Sequence, residues 1–372
     1  MKNDKKITYV TYQTFPAETA NSLQTISNIK YLIRNGFDVD LVFPLRSRNS
    51  SNDLNAIKDF YNFDEDVNIQ GTKHNLPFGK IKYFNRILFL LSHFIWAKNI
   101  VNSLLKKSEQ PKSYITRSDW IFYFLSKKNS PVVYECHQYT KIRKMIIKSA
   151  LKSNLSKIIF LNENLKDDYE NKYKLKNNFI VLQNGVDLDL FQNYNNNENE
   201  IIFVGNLKRF KKSRNIEFLL SAFKEVDEKY ILKIIGAKES EIALLNNQIN
   251  SLGIDNRVKI LGYLNHKETI DEMCKSGIGV LINSDLNIHS TKYTSPLKYF
   301  EYLAANLKVI AVDFDAHKKL PFADNISFFN TLNIGTFQTA LNNCLKTKSL
   351  DKNNYYEISL DLRTKKIIEI LP

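Results

Sequence analysis

The sequence is poor in the residues that mark several protein classes. Its 372 residues include only 3 cysteines, 11 glycines and 8 prolines. Cys136, Cys274 and Cys344 are far apart and form no CxxC pair, so neither disulfides nor structural zinc are expected, and a reducing compartment fits. The few glycines and prolines exclude collagen and disfavour a Gly/Pro-rich β-solenoid.

Long apolar runs are also scarce. The longest, Ile87–Ala97, is interrupted by Ser92 and His93, and the sequence predicts it to be too short to span a bilayer. The first residues, MKNDKKITYV, become polar too soon for a signal peptide. We therefore expect a cytoplasmic protein that can rest peripherally on the inner face of a membrane.

Acidic residues are outnumbered by basic ones. There are 39 Asp and Glu against 53 Lys and Arg, which gives a net charge of +14. This surplus favours an anionic partner, either nucleic acid, a phosphorylated small molecule or a membrane surface. Hydrophobic residues make up 43% and charged ones 25%, which is ordinary for a folded globular chain and excludes long disorder.

Short apolar runs alternate with amphipathic helical stretches along most of the chain. A helix is predicted at Leu23–Arg34, ended by Gly36. Strands are predicted at Ile7–Tyr12, Val39–Phe43, Ser113–Thr116, Val132–Glu135, Lys157–Leu161, Glu200–Val204, Leu232–Ile235, Val258–Leu261, Gly279–Ile282 and Lys308–Val312. Such alternation predicts an α/β fold of parallel sheets with helices on both faces.

The length predicts two domains. Gln192–Glu200, QNYNNNENE, is polar without periodicity and is typical of a linker. The predicted organisation is a Rossmann-like domain (1–190), a linker (191–200), a second Rossmann-like domain (201–354) and a final segment (355–372). Two such domains would face a central cleft, and ligands of open α/β sheets bind beyond the carboxyl ends of the strands.

The most informative segment is Ser295–Ala305, SPLKYFEYLAA. Ser295 is suited to the N-cap of a helix and Pro296 to its first position, so the free N–H groups of the first turn would form an anion site. Lys298 adds charge there, and Glu301 lies within reach of a ligand hydroxyl. The alternative is a capped amphipathic helix with Glu301 in water.

This segment, extended to SPLKYFEYLAANLKVIA, resembles the nucleotide-binding segment of GT-B glycosyltransferases, in particular the large retaining family 4 (GT4). VLQNGVDLDLF (Val181–Phe191), IFVGNLKRFKK (Ile202–Lys212), VYECHQ (Val133–Gln138) and FPAETANSLQTISNIKYL (Phe15–Leu32) resemble further segments of that family in the same order. The resemblance covers essentially the whole chain. It implies two Rossmann-like domains and a final helix that returns to the first domain.

The resemblance assigns roles within the SPLKYFEY segment. Glu301 would accept hydrogen bonds from the ribose hydroxyls of a nucleotide, and the backbone at Pro296, Leu297 and Lys298, after Ser295, would hold the diphosphate. Many relatives have an earlier Glu at the position of Tyr293, which leaves the usual contact to the donor sugar open. The pattern matches the subgroup with the signature SPLKxFEY.

A second set of donor-binding residues is implied after the strand that opens the second domain. Relatives carry an Arg after the matching Gly205 and a Lys further on, and these cations neutralise the leaving diphosphate. Here Asn206 replaces the Arg and Lys212 keeps the Lys position. Lys208, Arg209 and Lys211 crowd the same loop, so Arg209 is a candidate substitute, although a solvated basic loop is the plain alternative. Gly262 and Tyr263 fall where relatives bind the base.

In the first domain, His137 follows the strand at Val132–Glu135 and would lie close to the donor sugar in relatives. The alternative is a packed or capping histidine. Glu135 shares a strand face with His137 and would either orient the ring or be structural. Arg117 also resembles a position of the family. We place Arg117 and Glu135 on the acceptor side.

Two further expectations concern backbone and metal. The Asn184–Gly185 pair predicts a tight turn with positive φ. HExxH and DxD motifs are absent, and His266, like the other remaining histidines, shows no ligand spacing with Asp, Glu or Cys. Neither a metal site nor another cofactor is expected, since the nucleotide-sugar is a substrate and basic residues can replace the metal.

A basic amphipathic stretch lies at Thr140–Lys157, TKIRKMIIKSALKSNLSK. Its lysines at 141, 144, 148 and 152 share one helical face beside an apolar side. This pattern is typical of membrane-surface binding, or of a core helix with a solvated lysine face. A similar pattern at Ile81–Lys107 is flanked by Lys80, Lys82, Arg86 and Lys98.

The predicted function is transfer of a sugar, with retention, from a UDP- or GDP-linked donor to a hydroxyl of a glycan or lipid-linked acceptor. Three alternatives remain open: a UDP-sugar 2-epimerase on the same fold, a nucleic-acid-binding protein, and a relative without activity because of Asn206 and Tyr293. No helix-turn-helix, RRM or KH pattern appears, so a nucleic-acid partner is not expected.

Overall fold

The computed structural model of the chain describes residues 2–17, 19–47, 49–76, 85–150, 153–171, 178–192, 194–209 and 212–372. The chain divides into two units. The first comprises Met1–Leu182 and Arg363–Pro372, and the second comprises Gln183–Leu362.

Within the described residues, the first unit contains one sheet of seven parallel strands in the order β3-β2-β1-β4-β5-β6-β7. The strands are β1 (Lys2–Val10), β2 (Asp38–Leu45), β3 (Asn68–Lys73), β4 (Gln110–Thr116), β5 (Val132–Cys136), β6 (Ser156–Phe160) and β7 (Phe179–Val181). The order reverses between β1 and β4, which is the point where doubly wound sheets place their ligands.

Helices cover this sheet and bury an apolar core against it. They are α1 (Ala20–Arg34), α2 (Leu54–Tyr61), α3 (Asn85–Leu104), α4 (Asp119–Lys127), α5 (Lys141–Ala150) and α6 (Glu163–Glu170). The N-cap of α1 is Thr19, whose Oγ1 accepts a hydrogen bond from the Ser22 N–H (3.2 Å). Gly36 follows the end of α1 with φ +86°, a backbone conformation that favours glycine, in agreement with the prediction that Gly36 ends this helix.

The second unit repeats this plan with six parallel strands, again among the described residues, in the order β12-β11-β8-β13-β14-β15. Its strands are β8 (Asn197–Val204), β9 (Lys208–Arg209), β10 (Lys212–Ser213), β11 (Ile231–Ile235), β12 (Val258–Gly262), β13 (Ser276–Leu281), β14 (Lys308–Val312) and β15 (Ile326–Phe329). The short strands β9 and β10 form a separate antiparallel pair.

Helices again follow the strands of the second unit. They are α7 (Ile216–Lys224), α8 (Glu239–Leu252), α9 (His266–Lys275), α10 (Leu297–Ala304), α11 (Asp315–Lys318), α12 (Gly335–Lys346) and α13 (Leu360–Glu369), whose last residues from Arg363 onward belong to the first unit. The two-sheet α/β fold predicted from the alternation is confirmed.

Three strands of the two parallel sheets were not predicted, namely β3, β7 and β15, and neither was the short antiparallel pair β9 and β10. The first three are edge strands of their sheets. For β3 and β7 the reason is that an edge strand is covered less completely than a central one and needs fewer apolar residues, whereas β15, ISFF, is largely buried and was missed because four apolar residues are too few to distinguish a strand from a helix. β3 has the sequence NIQGTK and its residues are half-buried or exposed, and β7 contains only three residues.

The predicted domain boundaries need correction. The predicted linker, 191–200, overlaps β8, whose first three residues are polar because they are exposed. The second unit begins at Gln183 rather than 201, because the Val186 N–H donates to the Ile358 carbonyl (2.9 Å) and ties the NGVD segment to this unit. The predicted final segment, 355–372, contributes only residues 363–372 to the first unit.

The apolar run at Ile87–Ala97 belongs to a longer helix than expected. Ile87–Leu104 in α3 is long and apolar enough to cross a membrane by length and composition, which corrects the prediction that the run is too short. One face of α3 packs on α4, where the Phe94 ring lies 4.9 Å from that of Trp120 and 5.3 Å from that of Phe124. Only 39% of Ile87–Leu104 is buried, so its opposite face remains exposed.

Candidate active site

Three loops meet at the carboxyl ends of neighbouring strands in the second unit. Gly205 follows β8, Gly236 follows β11 and Gly262 ends β12, and each has positive φ. The Gly205 N–H donates to the Ile235 carbonyl (2.9 Å), and the Gly236 N–H donates to the Gly262 carbonyl (2.7 Å). A Cβ at Gly236 would lie 2.6 Å from the Gly205 carbonyl oxygen, so only glycine permits this close approach.

The basic loop after β8 places an unpredicted cation beside Gly205. A Cβ at Gly205 would lie 2.6 Å from Nη1 of Arg214, so the guanidinium group packs directly against this glycine. Asn206 and Lys212 are exposed, Lys212 at the start of β10. Arg209 lies in β9, and its side chain is outside the described residues, as is Lys211.

Ser295 is not the N-cap of α10, in contrast to the prediction. The helix begins at Leu297 with Pro296 at the cap, and Ser295 is buried. Its Oγ accepts a hydrogen bond from the Asn184 N–H (3.1 Å), while Asn184 Nδ2 donates to the Ser295 carbonyl (2.6 Å). The hydroxyl therefore joins the NGVD segment to α10, and Pro296, Leu297 and Lys298 remain half-exposed in the first turn.

Gly185 does not adopt the positive φ that the Asn-Gly pair predicted. The reason for a glycine here is close approach: a Cβ would lie 3.0 Å from the Ser359 carbonyl oxygen. The NGVD segment runs alongside this part of the chain through a parallel bridge between Val186 and Ser359.

Glu301 is the central carboxylate of this region. Its side chain is 12% exposed, and Oε2 accepts a hydrogen bond from Lys298 Nζ, one helical turn before it. Oε1 lies 3.4 Å from His266 Nε2 at the start of α9. Burial raises the pKa of Glu301, but Lys298 and His266 outweigh it and lower the pKa to about 2. Glu301 is therefore an anion at neutral pH, and each carboxylate oxygen keeps a lone pair for a further donor.

The position of α10 relative to β8 is set by Tyr302. A Cβ at Gly279 in β13 would lie 2.4 Å from the Tyr302 ring, so the missing side chain makes room for the aromatic face. The Val204 N–H at the end of β8 donates to the buried Tyr302 hydroxyl (3.1 Å). This contact fixes the turn that carries Glu301 against the strand that leads to Gly205.

Tyr293 occupies the position where relatives carry the additional Glu. It is buried at the end of a single π-helical turn, His289–Tyr293, with Lys292 Nζ 5.6 Å from its ring centroid. Tyr263, by contrast, is 56% exposed after Gly262. Of the two tyrosines assigned to donor binding, Tyr263 therefore offers much the larger open surface.

A second set of polar residues lies on β5 and after the carboxyl ends of β4 and β5, next to the switch point of the first unit's sheet. Glu135 in β5 is fully buried, and its Oε1 accepts a hydrogen bond from Arg363 Nη2 (2.8 Å). Its Oε2 lies 3.8 Å from Arg117 Nε and 3.5 Å from His137 Nε2. Burial raises the pKa of Glu135, but Arg363, His137 and Arg117 outweigh it, so the pKa lies well below the usual value.

The contacts of His137 define its protonation state. Arg117 Nη2 lies 3.0 Å from His137 Nδ1, and a guanidinium group only donates, so Nδ1 accepts and carries no proton. The proton therefore resides on Nε2, which faces Glu135. Burial, with the nearby Arg117, lowers the pKa of His137 to about 3. The imidazole is thus neutral at physiological pH, and Glu135 orients it.

Four residues of these two sets were missed by the sequence interpretation. His266 and Arg363 are the partners of Glu301 and Glu135, Arg214 packs on Gly205, and Asn21 Oδ1 accepts from Arg117 Nη2 (3.0 Å). His266, Arg363 and Asn21 each pair with a residue distant in the sequence, so the spacing of residues along the chain could not predict these contacts. Arg214 directly precedes Asn215, the N-cap of α7. Its position just before a helix is the one feature of the sequence that could have singled it out.

Residues 198–343 match the family model described as Glycosyl transferases group 1. A comparison with curated proteins found no match. Among solved structures, the chain is similar to a sucrose-phosphate synthase from Thermosynechococcus elongatus, with 14% identity, 98% coverage of both chains and a TM-score of 0.72.

Two further solved structures are similar over almost the whole chain. A glycosyltransferase from Rickettsia africae has 17% identity, with 99% of this chain and 98% of that chain covered and a TM-score of 0.69. Anabaena HepE in complex with UDP-glucose has 12% identity, with 98% and 99% covered and a TM-score of 0.67. The chain therefore has the GT-B fold, and its second unit carries the sequence pattern of a group 1 glycosyltransferase domain.

Proposed function

We propose that the protein is a retaining glycosyltransferase of family 4, which transfers a sugar, in the manner of a hexosyltransferase, from a nucleotide-sugar to a hydroxyl group of an acceptor. The observation that carries the proposal is Glu301, a largely buried carboxylate held ionised in the middle of α10, in a second unit with the GT-B fold. A carboxylate that only accepts is suited to two vicinal ribose hydroxyls.

The donor in this proposal is a UDP- or GDP-linked sugar. The solved structure of HepE contains UDP-glucose, and another similar structure, from E. coli, contains UDP-2-fluoro glucose. We assign the ribose to Glu301 and the diphosphate to the first turn of α10 around Ser295, Pro296, Leu297 and Lys298. The base would lie against Gly262 and Tyr263, whose ring has the open surface that stacking requires.

Charge on the leaving diphosphate has to be stabilised more in the transition state than in the ground state. We propose that Arg214 supplies a cation at Gly205, and that Lys212 supplies a second one from the exposed hairpin. With these cations the reaction would need no metal ion. A metal chelator should then leave transfer unchanged, whereas a loss of activity restored by Mg²⁺ or Mn²⁺ would contradict this part of the proposal.

Retention follows from the same-face mechanism, in which the leaving phosphate itself takes the proton of the acceptor hydroxyl. The contacts of His137 support this choice, because Nδ1 accepts from Arg117 and Nε2 carries the proton towards Glu135, so neither ring nitrogen has a lone pair with which to act as the general base that inversion requires. We propose that His137 contacts the donor sugar as a neutral group and that Arg117 and Glu135 hold it on the acceptor side.

The acceptor in our proposal is a cell-surface glycan or a lipid-linked intermediate, presented at the cytoplasmic face of a membrane. The described part of α3 exposes large apolar side chains at Ile87, Leu90, Leu91 and Ile95, and α5 exposes Ile142 and Met145. Lys148 on α5 is exposed, and Lys144 Nζ lies 4.2 Å from the Tyr139 ring centroid. Lys80, Lys82 and Lys152, and the side chain of Lys141, lie outside the described residues.

Vesicle co-sedimentation tests this membrane proposal. Wild type should pellet with anionic but not neutral vesicles at low salt, because charges near the surface attract basic side chains over roughly one Debye length, about 8 Å at physiological ionic strength. Replacing Leu91 and Met145 by Ser should reduce pelleting more than the same change at Leu244, an exposed leucine of the second unit. Equal pelleting of all variants would refute the surface.

A screen of nucleotide-sugars tests the function itself. Wild type is incubated with UDP- and GDP-linked hexoses, and release of UDP or GDP is measured with and without candidate glycan acceptors. At least one donor should be turned over by wild type and not by the Glu301→Ala variant, with thermal unfolding as the control for folding. Conversion of a UDP-sugar into its 2-epimer, without transfer of the sugar to an acceptor, would identify the protein as a UDP-sugar 2-epimerase instead.

A further inference from the structure

One face of the sheet in the first unit carries a row of polar side chains. Partner residues of a parallel pair point to the same side of the sheet, and the register joins four polar residues in this way: Asn68 in β3, Asp40 in β2, Thr8 in β1 and Tyr114 in β4. Lys6 and Gln70 lie two residues from members of this row, so their side chains share its face. The opposite face contributes Ile7 and Leu41 to the apolar core.

A cavity of about 310 Å³ lies on the polar face, and we call it the Thr8 cavity. Its lining includes residues from three strands, from the end of α3 and from the loop after it: Lys6, Thr8, Asp40, Gln70, Leu104 and Lys107. Asp40 is the third residue of β2, so the cavity lies towards the amino end of this strand, whereas Arg117 and His137 follow the carboxyl ends of β4 and β5. Small-molecule sites begin at roughly 300 Å³, so the Thr8 cavity is suited to a small ligand.

Side-chain hydrogen bonds hold the loop after α3 against the sheet. Gln110 Nε2 donates to the carbonyl groups of Leu104 (3.2 Å) and Lys107 (2.7 Å). Gln110 Oε1 accepts from the Tyr114 hydroxyl (2.9 Å), and Lys107 Nζ donates to Gln70 Oε1 (2.8 Å). These contacts fix the walls of the Thr8 cavity before a ligand binds, which lowers the entropic cost of binding.

The charged groups of the lining have little value for stability alone. The Asp40 side chain is 5% exposed, its Oδ2 lies 3.4 Å from Lys6 Nζ, and its Oδ1 accepts from Asn68 Nδ2 (2.8 Å). Apolar residues of similar volume often stabilise a fold as well as a buried ion pair does, because both charges of the pair lose their water. An ion pair kept on the wall of a cavity therefore indicates a polar occupant.

Several groups of the lining keep hydrogen-bonding capacity for a ligand. Each Asp40 oxygen has a further lone pair, and the Lys107 ammonium group uses one of its three N–H groups for Gln70. Thr8 is only 3% exposed, and none of the described residues forms a hydrogen bond with its hydroxyl. A buried hydroxyl without a partner costs free energy that a ligand in the cavity would recover.

The formal charges of the lining balance. Lys6 and Lys107 supply two ammonium groups, and Asp40 and Glu109 supply two carboxylates, so the lining favours neither an anion nor a cation. We propose that the Thr8 cavity binds one neutral sugar unit of the acceptor glycan, an assignment that rests on the proposed function. Ammonium groups only donate, carboxylates only accept and hydroxyls do both, and the neighbouring hydroxyls of a sugar match this mixture. The cavity thereby anchors the glycan away from the residues around His137.

Saturation-transfer NMR, which detects weak binding on the signals of the ligand, provides a direct test. Glucose, galactose, mannose and N-acetylglucosamine, each as the free sugar and as its methyl glycoside, are titrated against the full chain. At least one should bind saturably, and Thr8→Val should weaken that binding roughly 2- to 13-fold, as expected for one lost hydrogen bond. The same substitution should not lower the Tm, because the hydroxyl has no partner among the described residues. Lys107→Met removes a charged donor and should weaken binding roughly tenfold or more.

Two control variants separate the Thr8 cavity from the rest of the first unit. Lys106→Met changes an exposed neighbour of Lys107 that does not line the cavity, and it should bind the sugar as wild type does. His137→Ala should also bind as wild type does, and a loss of binding in this variant would place the sugar at His137 instead. Lys107 is exposed, so Lys107→Met decides the matter even if Thr8→Val does not fold.

The choice of ligands tests the chemical class and its source. A sugar unit within a glycan is substituted at its anomeric carbon, so the methyl glycoside should bind at least as well as the free sugar. Binding of the free sugar alone would contradict the assignment to an acceptor glycan. Inorganic phosphate, followed by the width of its phosphorus signal, and glycine should not bind. Binding of either one that Lys107→Met abolishes, without any sugar response, would overturn the neutral ligand.

Two further results would overturn the inference: no saturable binding of any sugar, or wild-type affinity in either Thr8→Val or Lys107→Met. Calorimetric binding of UDP and GDP, measured on the same samples, keeps the two proposals distinct. Nucleotide binding without sugar binding at the Thr8 cavity refutes the sugar site alone. Sugar binding that both substitutions weaken, without nucleotide binding, retains the sugar site and contradicts the proposed glycosyl transfer.

Discussion

Removing Arg363 should destabilise the first unit strongly. Arg363→Met leaves the fully buried Glu135 carboxylate without its 2.8 Å partner, and loss of one member of a buried ion pair costs roughly 3–5 kcal/mol. Arg117 Nε remains 3.8 Å from Glu135, so we expect the lower value, about 3 kcal/mol. For a unit of this size that corresponds to a fall in Tm of about 6–12 °C.

Tryptophan fluorescence follows this unit selectively, because Trp96 and Trp120 both lie in it. The matched control is Arg34→Met, whose guanidinium pairs with Glu65 at 2.7 Å but is 40% exposed, and such a pair is worth about 0–1 kcal/mol. An Arg363→Met variant that melts within about 2 °C of the control would refute the ion-pair argument.

The pH dependence and a second variant test the cause of the loss. Because the pKa of Glu135 is depressed in the folded protein, its stabilisation is present above the ordinary carboxyl value of 4.5 and is lost as the pH falls through the folded pKa. The difference between wild type and Arg363→Met should therefore narrow below about pH 4.5. Adding Glu135→Gln should restore part of the lost stability, since the uncompensated charge is removed; no recovery would indicate that packing of Arg363, and not charge, is responsible.

Three further outcomes are expected. His137→Ala should lower kcat far more than nucleotide affinity, measured by steady-state kinetics and calorimetry; a parallel collapse of nucleotide affinity would place the residue at the nucleotide instead. Gly236→Ala should weaken nucleotide binding and lower the Tm of the second unit, because its Cβ would meet the Gly205 carbonyl at 2.6 Å; wild-type binding and melting would contradict the close approach. Arg214→Ala and Lys212→Ala should each reduce affinity for the nucleoside diphosphate more than for the nucleoside, and an unchanged preference would remove that residue from the diphosphate.

Local sequence patterns were sufficient to predict much of this structure. The alternation of apolar runs predicted both parallel sheets, since central strands are buried on two faces and are therefore mostly apolar, as the fully buried β5 and β13 are apart from Glu135 and Ser276. The helix with Glu301 was also predicted from local sequence, although its start was placed one residue early: Pro296 is the cap, the helix begins at Leu297, and Lys298 lies one turn before the carboxylate.

Contacts between residues that are distant in the sequence could not be predicted from residue spacing. Glu135 and Arg363 are 228 residues apart, and Glu301 and His266 are 35 apart, so only the fold brings each pair together. The Ser295 cap failed for the same reason: its hydroxyl has a better use with the Asn184 backbone, 111 residues away, than at the helix start. A local rule holds only where no distant group competes for the same atom.

The role of Glu301 as the ribose acceptor is tested most directly by calorimetry with a modified nucleotide. The nucleoside diphosphate that binds, UDP or GDP, is titrated into wild type and Glu301→Ala, and the titration is repeated with its 2′,3′-dideoxy form. Hydrogen bonds to a charged group are worth about 1.5–3 kcal/mol, so the substitution should weaken binding of the natural nucleotide roughly 10- to 150-fold. It should change binding of the dideoxy form little, because the hydroxyls that Glu301 accepts from are absent. Equal losses for both nucleotides, or no loss for either, would contradict the assignment of Glu301 to the ribose.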